Sequence, residues 1–229
     1  MTHHSHSFHS HSGGEPAQTE GSLIRWASSY DLVTNLMTLG QAGRLRKTTV
    51  DQALIEPGDN VLDVGCGTGE VTLLAKTRAT EGTVYGIDPA PEMIAVARRK
   101  AARKKLDIDF RVGVIEALPF PDSSIDVVTS SLMMHHLPED LKVRGLVEIY
   151  RVLRSPDPAS GKPGGRLLIA DFMRPTGSFL NHLFIGFTRH QRLQQGIEDL
   201  EALLRDTGFK LITQPDEKVL VIGFIRAIK

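Results

Sequence analysis

Residues 61–70 read VLDVGCGTGE: an apolar run reaches an acid, breaks into glycines at alternate positions and gives way to a helical pattern, EVTLLAKTRAT. No other feature narrows the fold as far. A buried strand that feeds a helix through a turn of glycines is the start of a βαβ unit. The alternation continues, with TVYGID strand-like, PEMIAVARRKAARKK helical, FRVGVI and SIDVVTSS strand-like, DLKVRGLVEIYRVLR helical and RLLIADF strand-like. Strands that alternate with helices of this length predict an α/β fold, a doubly wound, Rossmann-like and mostly parallel sheet with helices on both faces. After a helical stretch over 196–207, GFKLITQP and KVLVIGFIRAI are too close for a crossover helix. The seven-stranded sheet is therefore expected to end in an antiparallel strand pair.

Ahead of the first strand, LIRWASSYDLVTNLMTL (23–39) has helical apolar spacing and predicts an N-terminal helical lid, with Gly40 and Gly43 where that helix ends. The following RLRKTTVDQALI, closed by the Pro57-Gly58-Asp59 turn, makes a helical approach to the sheet. The start, MTHHSHSFHSHSGG, holds five of the nine histidines and too little apolar surface to fold alone. Residues 1–21 are read as a disordered tail whose histidines invite adventitious zinc or nickel, and 22–229 as a single domain with no metal site of its own. SPDPASGKPGG, ahead of the fifth strand, is a surface loop.

Composition excludes several classes of partner. Twenty-seven basic residues balance twenty-seven acidic ones, so no net field draws the chain to nucleic acid or anionic lipid, and ARRKAARKK reads as a solvated helix face. A single cysteine, Cys66, excludes an intramolecular disulfide, and no apolar run nears the roughly 20 residues of a membrane span. The expected address is cytoplasmic, without stable membrane insertion. The oligomeric state is open, a homodimer included.

The glycine loop discriminates between ligands. A dinucleotide loop needs G-x-G-x-x-G, yet its third glycine position holds Glu70, and the phosphate loop G-x-x-x-x-G-K-[ST] is absent. What stands here is D-x-G-x-G-x-G, with Asp63 at the strand end and glycines that let backbone approach a ligand. A carboxylate there suits a ligand with positive charge or several N–H donors, such as the amino acid end of S-adenosylmethionine. Asp88 ends the second strand, where an acid accepts both hydroxyls of a ribose. That position serves an adenosine cofactor and a nicotinamide one alike.

These residues resemble the class I S-adenosylmethionine-dependent methyltransferases, in the branch of the ubiquinone/menaquinone C-methyltransferases. The resemblance is carried by VLDVGCGTGE, GIDPAPEM, EALPFPDSSIDVV, SSLMMHHL and EIYRVLR followed by GGRLLIADF, and extends from about Ser22 to the C-terminus. It implies that Asp63, Gly65, Cys66, Gly67 and Gly69 run along the methionine and ribose of the cofactor, with Asp88 on the ribose hydroxyls and Pro89 and Met93 beside the adenine. It further implies that Ser130, Ser131 and Leu132 offer backbone groups to the methionine end and that Tyr30 closes over the cofactor. The family usually carries an acid-alanine pair after the third strand. Here Val114 and Ile115 stand instead, with Glu116 the nearest acid, so Ile115 keeps a main-chain contact and the acidic one is in question.

Methyl transfer from a sulfonium is an in-line displacement with an excellent leaving group, so positioning supplies much of the rate. A base is needed only where the acceptor loses a proton. The candidates are His135 and His136 in MMHHLPED, at the ligand edge of the fourth strand, with Asp171 at the end of the fifth. The competing roles are a histidine that packs its loop and an aspartate that caps a helix or holds Arg174. Cys66 lies between two loop glycines with no base placed beside it and is not expected to react. SSLM after the fourth strand lacks the Asn-Pro-Pro-aromatic signature of base and amide N-methylation. The function expected is methyl transfer to a small, apolar or aromatic metabolite. A non-catalytic cofactor-binding regulatory module and a nicotinamide oxidoreductase on the same fold are the alternatives.

Overall fold

The computed structural model describes residues 40–159, 161–173 and 196–229. In chain order, α1 (Ala42–Gln52) leads to β1 (Val61–Val64), α2 (Glu70–Lys76), β2 (Val84–Asp88), α3 (Pro91–Lys104), β3 (Asp109–Val112) and β4 (Val127–Ser131). A single 3-10 turn at Met134–His136 precedes α4 (Glu139–Val152), β5 (Arg166–Phe172), α5 (Ile197–Thr207), β6 (Lys210–Thr213) and β7 (Ile222–Ile228). The 1–21 tail, the 23–39 lid with Tyr30, and Arg174 lie outside the described residues.

The seven strands form one sheet in the order β3-β2-β1-β4-β5-β7-β6. The strands from β1 to β5 run parallel, while β7 is antiparallel to both β5 and β6. This is the expected doubly wound fold with its antiparallel end. Strand β1 is buried at every position, because helices cover both faces and a parallel strand so enclosed reads as one apolar run. On one face, Leu62, Val64, Val128, Leu167 and Ile169 pack against Leu141, Leu146 and Ile149 of α4 and Leu200 and Leu204 of α5. On the other, Val61, Val127, Leu168 and Ala170 pack against Leu45 and Val50 of α1 and Val71 and Ala75 of α2.

Two strands are shorter than their sequence patterns. FRVGVI is extended only to Val112, since Val114 pairs back with Ala117 in a tight turn and Ile115 turns into the core. In KVLVIGFIRAI the strand starts at Ile222, after a reversal in which Val219 pairs with Ile222 and Leu220 adopts φ 57. Arg151 of α4 fastens the segment between β3 and β4, donating to the carbonyls of Leu118 and Phe120 at 3.0 and 2.9 Å and pairing with Asp122 at 2.6 Å. The parallel strands thus direct the loops after β1, β2, β4 and β5 to one edge, where open α/β sheets bind ligands.

Candidate active site

The loop after β1 is built around backbone that side chains disfavour. Gly65, Gly67 and Gly69 all have positive φ. A Cβ at Gly69 would stand 2.9 Å from both the Ala97 Cβ and the Phe110 ring, so this glycine lets α2 start hard against α3 and β3. Close helix packing, which a dinucleotide loop obtains from its third glycine, comes here from Gly69, and Glu70 is left to open the helix. At Gly65 a Cβ would overlap Met133, which folds across the loop from the segment after β4.

Asp63 and Asp88 supply the charge. Asp63 is buried and accepts from the hydroxyls of Thr72 at 2.6 Å and Thr129 at 2.9 Å. Burial raises its carboxyl to about 6, against the opposing pull of both threonines, and nearby Asp88 adds to the rise. Asp88 accepts from the Gly67 N–H at 3.0 Å and the Ala90 N–H at 2.9 Å; burial raises it too, and these two bonds lower it. Neither carboxylate has an ion-pair partner among the described residues. The Cys66 thiol is pushed far up by burial and by the same two acids, which makes it inert at neutral pH.

A cleft opens beside this loop. It is lined by Asp63, Gly65, Cys66, Gly67, Thr68, Glu70 and Val71, by Ser131 and Leu132 beyond β4, and by Ala42, Leu45 and Arg46 of α1. The sheet edge so brings together Asp63, Gly65, Cys66, Gly67, Ser131 and Leu132. Asp88 joins them through Gly67, and Gly69 packs against Ala97 of α3. Pro89 follows Asp88, while Met93 is buried with Ala90 beside Val96. The Gly113 N–H donates to the Asp88 carbonyl, which sets Val114, Ile115 and Glu116 next to the end of β2. Ile115 sends its side chain to the core and so has only main chain to offer at the edge. Ser130 is fully buried on the opposite sheet face, its Oγ without a hydrogen-bond partner among the described residues.

Past Leu132, which holds φ 54 and donates its N–H to the Ala170 carbonyl, the chain crosses Gly65 as Met133 and enters the 3-10 turn. There the Nδ1 of His135 meets the Asp171 carboxylate at 2.7 Å, and the backbone N–H of His135 donates to the other oxygen at 3.1 Å. Asp171 is buried and also accepts from the Phe172 N–H at 2.8 Å. A carboxylate on Nδ1 fixes the tautomer in which Nδ1 carries the hydrogen and Nε2 accepts a proton. His136 stacks on His135 at 3.9 Å and Phe172 meets it edge-on at 4.8 Å. Asp171 thus holds the His135 ring and its N–H, while the helix it was expected to cap and Arg174 lie outside the described residues.

Sequence reasoning passed over Thr72 and Thr129, the two hydroxyls that hold Asp63, and Met133. The register pairs Asp63 with Thr129, so alternation along DVVTSS carried that signal. The side chains fit a cofactor with an ammonium and a ribose: two acids without cationic partners among the described residues stand along one glycine-lined loop. It fits a dinucleotide poorly, because the pyrophosphate would meet those acids and Glu70 in the first turn of α2.

A family model described as a methyltransferase domain matches residues 61–156. The demethylmenaquinone methyltransferase of Thermus thermophilus is 39% identical over 149 residues, covering 65% of this chain and 63% of that protein. The ubiquinone/menaquinone biosynthesis C-methyltransferase UbiE of a Marinomonas species is 32% identical over 161 residues, covering 69% of this chain and 60% of that protein. Both matches span less than two thirds of the relative's length. A solved S-adenosylmethionine-dependent methyltransferase from Aquifex aeolicus shares the fold at a TM-score of 0.63, with 21% identity over 85% of this chain and 97% of that one.

Proposed function

We propose, for a chain that belongs to the class I S-adenosylmethionine-dependent methyltransferases in the branch of the ubiquinone/menaquinone C-methyltransferases, that the carboxyl edge of its sheet transfers a methyl group from S-adenosylmethionine to a small apolar or aromatic acceptor, a quinol-like ring above all. The observation that carries this reading is the pair of acids, Asp63 and Asp88, along the glycine loop without ion-pair partners among the described residues. When bound, the cofactor supplies an electrophilic methyl on a sulfonium. Asp63 balances the ammonium, Asp88 accepts the ribose hydroxyls, and backbone of Ser131 and Leu132 borders the methionine end.

The chain's own chemistry is at His135. Carbon methylation of a quinol needs its hydroxyl proton removed, so that the oxygen's electrons can drive the ring carbon onto the methyl. Nε2 of His135 takes that proton, and Asp171 steadies the imidazolium that results. His136 flanks the ring as packing. The nicotinamide alternative loses support from the unpaired acids and Glu70, and a binding-only role leaves the ordered His135–Asp171 pair without a purpose.

The test is incubation with methyl-labelled S-adenosylmethionine and a demethylmenaquinol. Label on the naphthoquinol ring is expected. Tight S-adenosylhomocysteine binding with no transfer to any quinol or phenol would replace this reading with the binding-only one.

A further inference from the structure

The cleft beside the glycine loop is lined by charge of both signs. Its deepest acid is Asp63, and its base is Arg46 of α1. Ala42, Leu45 and Arg46 are spaced i, i+3, i+4, so one face of α1 supplies all three to the lining. The first two are buried and apolar, while 23% of the Arg46 side chain is exposed. Glu70, the remaining charge in the lining, is engaged from two sides. Lys100 of α3 meets it at 2.6 Å and also donates to the Thr68 hydroxyl at 2.9 Å, whereas Arg46 stands 3.7 Å from its other oxygen. The short pair with Lys100 already balances the glutamate, so Arg46 brings a charge that Glu70 does not need. A guanidinium has five N–H donors and can hold Glu70 and a further carboxylate together.

We propose that Arg46 binds the carboxylate at the amino acid end of the cofactor, so that α1 and β1 together recognise a zwitterion, Arg46 holding its carboxylate and Asp63 its ammonium. An α-amino acid carries both charges on one carbon, and a cleft that selects it needs an acid and a base lining the same space. VLDVGCGTG holds one acid and no base, so the base has to come from another element, and α1 supplies it. Without the guanidinium, a ligand carboxylate here faces Asp63 and Glu70, charges of its own sign. Arginine suits the task because its planar fork matches a carboxylate with two parallel bonds. The competing role is that of a strut, tying α1 to the start of α2 through Glu70. The inference rests on the methyl-transfer reading for the identity of the ligand.

Two ligands that differ only in that carboxylate separate the roles: S-adenosylmethionine and its decarboxylated form. Calorimetric Kd values for both are compared in the full chain as wild type, Arg46→Met and Arg46→Lys. The wild type is expected to prefer the carboxylate-bearing ligand by about 10- to 100-fold, as a charge-assisted hydrogen bond gives. Arg46→Met should bind the two within about threefold of each other, its affinity for the decarboxylated form staying near wild type. Arg46→Lys, a point charge without the fork, should keep part of the preference. Should Arg46→Met not fold, Arg46→Gln takes its place. A wild type indifferent to the carboxylate would overturn the inference. So would an Arg46→Met protein that weakens both ligands alike and keeps the preference, which would make Arg46 a strut. Either result leaves the methyl-transfer reading standing; a wild type that binds neither ligand would strike that reading, and this inference with it.

Discussion

Asp63 couples the proposed cofactor site to pH. Its carboxyl is raised to about 6 by burial, above the ordinary value, so folding shifts it toward the protonated form. Its contribution to stability is fully present below about pH 4 and is lost as pH rises through about 6. A bound ammonium reverses the preference. S-adenosylhomocysteine should bind about tenfold more weakly at pH 5 than at pH 7, and Asp63→Asn should flatten that slope while weakening binding at pH 7. Calorimetry at both pH values checks it, and equal slopes in the two proteins would remove Asp63 from contact with the ammonium. Gly69 carries a second prediction. An alanine there suffers both a positive φ and contacts of 2.9 Å with Ala97 and Phe110, so Gly69→Ala should lower stability by about 2–4 kcal/mol in urea unfolding. A loss below about 1 kcal/mol would mean that α3 moves aside.

Between elements, the junction of the 3-10 turn with β5 matters most. Asp171 accepts from the His135 ring, the His135 N–H and the Phe172 N–H, and an asparagine has one oxygen for these three donors. Asp171→Asn should cut kcat for methyl transfer about 100-fold, with S-adenosylhomocysteine affinity kept within about twofold. A kcat near wild type would make the pair a packing contact. This junction was half legible in the sequence. Strand ends placed His135 and Asp171 at one edge, but their bond depends on a 3-10 turn that no period announces. Ile115 was hidden, since FRVGVI reads as unbroken strand and only tertiary packing turns its side chain to the core.

At the scale of the molecule, the sheet was the most legible feature. Strands buried on both faces must be continuous apolar runs, and the short gap before β7 allowed only an antiparallel return. The direction of polar side chains was not readable, because Asp63 meets Thr72 and Thr129 only once β1, β4 and α2 have packed. No helix among the described residues is long and apolar enough to cross a membrane. On the proposed reading, the edge of β-strand ends would offer two acids to a cofactor on one side and an oriented histidine to an acceptor on the other. Calorimetric titration with S-adenosylhomocysteine, with NADH as the parallel ligand and Asp88→Asn as the variant, tests that account most directly. It predicts one-to-one binding of S-adenosylhomocysteine, at least tenfold weaker in Asp88→Asn, and no binding of NADH; NADH binding, or S-adenosylhomocysteine affinity indifferent to Asp88, would contradict it.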